Sequence, residues 1–205
     1  MIDKDTVLKR VSETVQRKLA NQGAGHGFDH VIRVARLARG IACEVGGDFF
    51  VIELAALLHD LGDAKFHAGV ERSGEMAREI LSELGVDATV IEQVAHIVDN
   101  LSFRKHSTAE PLSLEGQVVQ DADRLDALGA IGIVRTIEYG AVTGQPFHVS
   151  GNAEVKSGLA HFREKLYRLH DLMNTEVARR IAAEREAFMR QFEKQFRLEA
   201  DGLDV

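Results

Sequence analysis

Apolar residues recur along this chain at spacings of three and four for most of its length, the period of helices packed on one side. Val7, Val11, Val15 and Leu19 make the first stripe, closed by Asn21-Gln22-Gly23-Ala24-Gly25. A second helix is predicted from about Asp29, with Val31, Val34, Ala35, Ala38 and Ile41 inward and Gly46-Gly47 as its stop. Asp48 suits the N-cap of a third, which is apolar nearly all round and ends near His59-Asp60. A fourth is predicted over about 69–84, with Gly85 just past its end, and a fifth behind Asp87, with Val90, Ile91, Val94 and Ile97 inward. One long sixth helix is predicted from Ser113 to about Tyr139, then a loop over 140–151. Two closing helices follow, about 152–172 and 175–198, separated at Met173-Asn174-Thr175-Glu176. Phe188, Phe192 and Phe196 repeat at i, i+4 and are expected in the core. No sustained period-two alternation marks a strand, and both prolines, Pro111 and Pro146, fall in polar segments between helices. The expected fold is all-α: one helical bundle over 1–205, with a core at about 19–140 and closing helices at about 152–198.

Composition narrows the class. The 205 residues are 45% hydrophobic and 28% charged, an ordinary globular balance. A formal charge of −7 leaves no broad basic face, so duplex nucleic acid is not an expected partner. A bound metal can still reverse the local sign and admit a small anion. Cys43 is the one cysteine, so no intramolecular disulfide forms, in keeping with a reducing cytoplasm. Met1-Ile2-Asp3-Lys4-Asp5 lacks the start of a signal peptide, and no stretch approaches the roughly 18 apolar residues of a membrane span. Cytoplasmic location is therefore expected, with no membrane partner and with the oligomeric state open.

The chemistry lies in three places. His30 opens the second helix. His59-Asp60 ends the third. Gln120-Asp121-Ala122-Asp123-Arg124-Leu125-Asp126 sets three acids among apolar positions of the sixth. Adjacent residues on a helix diverge by about 100°, yet His59 and Asp60 can both reach one ion at a helix end, since imidazole has the longer arm, and Gly62 suggests that the helix loosens there. Carboxylates inside an apolar helix are costly unless paired or metal-bound, and Arg124 and Arg135 are the available ion-pair partners. Two imidazoles and two carboxylates form a hard-to-borderline ligand set suited to a divalent metal, and such a metal suits phosphate chemistry.

With its segments Gly25-His26…His30, His59-Asp60-Leu61-Gly62-Asp63-x-Lys65-Phe66 and Asp121-Ala122-Asp123-Arg124-Leu125-Asp126, the sequence resembles the HD-domain superfamily of metal-dependent phosphohydrolases, in its small, wholly helical bacterial branch. The resemblance runs from about Leu19 to Phe196 and implies a single HD-type domain with its metal between three core helices. It implies one divalent cation held by His30, His59, Asp60 and Asp123. Mn²⁺ is favoured, with Mg²⁺, Fe²⁺, Ni²⁺ or Co²⁺ as alternatives. Asp121 and Asp126 would then orient a histidine or a water from behind.

Hydrolysis also needs a proton acceptor and phosphate contacts. Asp63 is the candidate for the first. Lys65, His67, His26, Arg104, Lys105 and His96 are candidates for the second. His96 lacks the His-His pair that binuclear members use, which points to one metal. The branch implies hydrolysis of nucleoside triphosphates to monophosphate and pyrophosphate by a metal-activated water. A 5′-nucleotidase or a cyclic-nucleotide or oligonucleotide phosphodiesterase is the alternative, and a non-catalytic nucleotide sensor is a weaker one.

Overall fold

The computed structural model describes residues 3–20, 27–62, 70, 72–101, 110–150 and 155–203. These residues form α-helices and short 3₁₀ turns, with no strand among them, so the chain is all-α as predicted. They fall into two compact units, 1–122 and 123–205.

The first unit holds α1 (Lys4–Leu19), α2 (Phe28–Val45), α3 (Phe49–Leu58), α4 (Ser73–Glu83), α5 (Ala88–Asn100) and most of α6 (Leu114–Asp126). α3 packs on α1, α2 and α5, and α4 on α5. Eight of the ten α3 residues are buried, which is why its sequence carries so little polarity. Asp48 caps it by accepting from the Phe50 N–H at 2.8 Å. The predicted stripe of α1 is buried, and Asp3 caps that helix. α2 ends at Gly46, whose φ of +88° suits a residue without a side chain. α4 begins at Ser73, later than the spacing suggests, and closes in a Schellman motif. Gly85 N–H bonds Ser82 O at 3.0 Å and Val86 N–H bonds Leu81 O at 3.1 Å, with Gly85 at φ +68°.

The second unit holds the end of α6, α7 (Gly129–Thr143), α8 (Gly158–Glu164), 3₁₀ turns at Leu166–Arg168 and His170–Leu172, and α9 (Glu176–Ala200). The long sixth helix predicted to Tyr139 is two helices. Gly129 takes φ +71°, and a Cβ on Gly132 would lie 2.1 Å from the Ala127 carbonyl oxygen, so the chain turns sharply there. α7 then runs into the predicted loop before Gly144 ends it at φ +73°. The first closing helix is cut to α8 and the two 3₁₀ turns, whereas α9 starts as predicted, with the Thr175 hydroxyl accepting from Ala178 N–H.

The phenylalanine stripe divides. Phe192 and Phe196 meet Phe147, at ring separations of 6.1 and 5.2 Å, but Phe188 is 50% exposed. The inward line of α9 follows Ala178, Ala182 and Met189, and a strict four-residue step drifts about 40° per turn away from such a line.

Candidate metal centre

α2 and α3 pack together and bring three side chains to one point. His30 stands in the first turn of α2, fixed by its N–H bond to Gly27 O at 3.0 Å. α3 ends at Leu58; His59 is its C-cap, and residues 59–62 form a turn, with Leu61 N–H bonded to Leu58 O at 3.2 Å. The helix thus loosens at the two adjacent side chains His59 and Asp60. His30, His59 and Asp60 are 2%, 8% and 8% exposed, and each offers a ligand atom within 4.8 Å of the others.

Their spacing fits a common ion. Two donors each about 2.1 Å from one cation, at angles of about 90–109°, stand about 3.0–3.4 Å apart. His30 Nε2 and His59 Nε2 are 3.2 Å apart, and His30 Nε2 lies 3.4 Å from Asp60 Oδ2. The third edge, His59 Nε2 to Asp60 Oδ1, is 3.6 Å. His59 Nδ1 lies 2.8 Å from the Ala56 carbonyl oxygen. A carbonyl can only accept, so Nδ1 carries the proton and Nε2 presents its lone pair towards His30 and Asp60. Two imidazole nitrogens and a carboxylate converging in a buried space suit a divalent cation by both geometry and donor type.

The acids of α6 take separate positions. Asp121 is fully buried in the first unit. Asp123 is half-buried and opens the second. Asp126, 1% exposed, receives Arg135 Nη1 at 2.7 Å. Arg124 donates to the Leu172 carbonyl and Arg185 to the Leu125 carbonyl, so two arginines hold the last turn of α6. Burial pulls the Arg185 pKa below its ordinary value, against the opposing charge of Asp126. His96, on α5, donates from Nε2 to the Pro111 carbonyl at 3.1 Å and has Glu110 3.6 Å from Nδ1. His26, Asp63, Lys65, His67, Arg104 and Lys105 lie outside the described residues.

Contacts beside the site went unread in the sequence. Gly62 O accepts from Arg72 N–H at 2.9 Å, and a Cβ on Gly62 would fall 2.2 Å from Ser73 N. Asp99 reaches from α5 to accept from Gly74 N–H at 2.9 Å, capping α4 from a neighbouring helix. Gly62 beside the His-Asp pair was the visible signal for the first; the second has no local signature.

The HD domain model matches residues 27–128. The uncharacterized protein YpgQ of Bacillus subtilis is 40% identical over 199 residues, 96% of this chain and 95% of its own. The chain belongs to the HD-domain superfamily of metal-dependent phosphohydrolases. Among solved structures, Bacillus subtilis YpgQ in complex with ADP matches this HD-domain chain with a TM-score of 0.82 and 38% identity, covering 98% of it and 99% of that protein. An HD-superfamily hydrolase from Bacillus thuringiensis matches with a TM-score of 0.82 and 37% identity, covering 97% and 99%. Ribonuclease Y of Cutibacterium acnes is 35% identical over 100 residues, which is 49% of this chain but 17% of that enzyme.

Proposed function

We propose that the chain hydrolyses nucleoside triphosphates to monophosphate and pyrophosphate in the cytoplasm, as one HD-type domain with one divalent ion, Mn²⁺ favoured, held by His30, His59, Asp60 and Asp123. The convergence of His30, His59 and Asp60 carries the reading of the metal. Asp123 joins them on the sequence motif alone, with Asp121 and Asp126 behind the ligands. The ADP complex of YpgQ supports a nucleotide as the substrate class. When bound, such an ion polarises a phosphoryl oxygen and lowers the pKa of water. His59 enters with its tautomer already fixed by Ala56. Asp63 accepts the proton as water attacks the α-phosphorus and the bond to the bridging oxygen breaks, releasing pyrophosphate. Lys65, His67, His26, Arg104, Lys105 and His96 supply the phosphate contacts in this reading, which rests on sequence position.

A nucleotide panel with Mn²⁺ and separate detection of pyrophosphate and orthophosphate tests the reaction. Triphosphates should yield equal amounts of monophosphate and pyrophosphate. Orthophosphate from monophosphates alone would replace the reading with a 5′-nucleotidase. The match to ribonuclease Y favours a second reading, a phosphodiesterase on short oligoribonucleotides, which the same panel extended to dinucleotides distinguishes. Nucleotide binding without turnover under every divalent metal would leave a sensor.

A further inference from the structure

α4 begins on a residue that cannot cap it. Arg72 stands at the N-cap position, but a guanidinium only donates, and this one is turned onto the Glu75 carboxylate, with Nε and Nη2 each 2.8 Å from an oxygen. The acceptor for the first turn comes from α5 instead, where Asp99 Oδ1 receives Gly74 N–H at 2.9 Å. The bond needs glycine at position 74. A Cβ there would lie 2.0 Å from Asp99 Oδ2, so the carboxylate fills the space of the missing side chain. The same Oδ2 faces Arg78 Nη1 at 3.9 Å. Asp99 thereby sets where α4 begins against α5.

The start of α4 is also a wall of the turn that carries His59 and Asp60. Gly62 O accepts from Arg72 N–H at 2.9 Å, and a Cβ on Gly62 would fall 2.2 Å from Ser73 N and 2.4 Å from Arg72 C, so backbone lies directly on backbone. Gly62, Ser73 and Gly74 are all buried. Residues 59–62 form a turn beyond the end of α3, bonded from Leu61 N–H to Leu58 O at 3.2 Å. The place of such a turn depends on what packs against it more than that of a residue inside a helix does. A close-packed contact of this kind passes a displacement on to its neighbour. Asp60 is two residues from Gly62, and a metal ligand tolerates a shift of only about 0.2 Å.

We infer that Asp99 is a positioning residue for the metal corner: through Gly74 it fixes the start of α4, which holds Gly62 and so sets Asp60 against His30 and His59. The inference rests on the reading of those three residues as metal ligands. Binding of Mn²⁺ to the full chain, followed by the electron paramagnetic resonance signal of the free ion, tests it without nucleotide or turnover. Asp99→Ala should raise the Mn²⁺ dissociation constant about tenfold, the lower end of what loss of a partner behind a ligand costs. Asp99→Asn keeps an oxygen for Gly74 N–H and should stay within about twofold of the wild type. Gly74→Ala should match Asp99→Ala, because the new methyl displaces the carboxylate while alanine itself favours a helix. The double variant should lose no more than either alone, since both remove one bond. Gly85→Ala strains the other end of α4, at φ +68°, away from Gly62, and should keep wild-type affinity. Wild-type affinity in Asp99→Ala and Gly74→Ala, with binding still lost in Asp60→Asn, would overturn the inference and leave the metal site standing. An equal loss in Gly85→Ala would overturn it as general loosening of α4, and an equal loss in Asp99→Asn as an effect of charge. Mn²⁺ binding untouched by Asp60→Asn would remove the metal reading and this inference with it.

Discussion

Asp60 is within reach of both imidazoles, Oδ2 at 3.4 Å from His30 and Oδ1 at 3.6 Å from His59, so its charge should decide whether a cation stays. Asp60→Asn keeps the shape and removes the charge. A metal present at a hundredfold excess over its dissociation constant stabilises a protein by about 2.7 kcal/mol. For a chain of this length that raises the melting temperature by about 5–10 °C. Thermal melts with Mn²⁺ and after chelation should show this rise in the wild type and less than about 2 °C in the variant. An equal rise in both would mean that Mn²⁺ binds elsewhere. Kinetics should separate the residues that follow: Lys65→Ala should chiefly raise KM, whereas Asp63→Asn should chiefly lower kcat. The type and order of His30, His59 and Asp60 were legible because metal chemistry tolerates few substitutes. The Ala56 carbonyl that orients His59 was not, because a backbone oxygen leaves no mark in the sequence.

At the scale of elements, the glycines show why some ends were readable and others were not. Gly85 follows an apolar stripe and closes α4 at φ +68° with open space around it. Gly40 and Gly116 sit inside helices, so a glycine in a helical pattern was no reason to break the sixth helix at Gly129. What breaks it is tertiary. Arg185 packs against Gly129 and binds the Leu125 carbonyl, and Gly132 closes on Ala127. Gly85→Ala should therefore cost about 1–2 kcal/mol, the strain of a left-handed residue. Gly132→Ala has a carbonyl 2.1 Å from its new carbon and should cost about 3 kcal/mol or more. Urea midpoints decide the order, and equal losses would refute it. α8 adds a pH effect. Burial holds the His161 pKa below its ordinary 6.5, aided by Lys165 and opposed by Glu164. Below about pH 6.5 the unfolded chain therefore binds more protons at this site than the fold does, and stability falls as pH drops towards the lowered value. His161→Gln should flatten that loss between pH 7.5 and pH 5, measured as the difference in urea midpoint from the wild type.

For the whole molecule, the helical class was legible throughout, because the three-and-four spacing outlasts every local error in helix ends. The extent of cooperative folding was not, since periodicity says nothing about where contacts thin out. The division between the two compact units falls between Ala122 and Asp123, inside α6, a continuous helix with Val118, Val119 and Ala122 buried before it and Leu125 after it. A helix of 13 residues is marginal in water without packing along its length. If either unit unfolded first, α6 would lose the burial of one end and its hydrogen-bonded ladder would fray towards the other. Unfolding should therefore be one transition, with calorimetric and van't Hoff enthalpies equal. Scanning calorimetry on the full chain under chelation tests this without the added coupling of a metal. Two resolved peaks, or an enthalpy ratio well above unity, would show that the division at Ala122 separates folding units and that α6 can be held by half of its length.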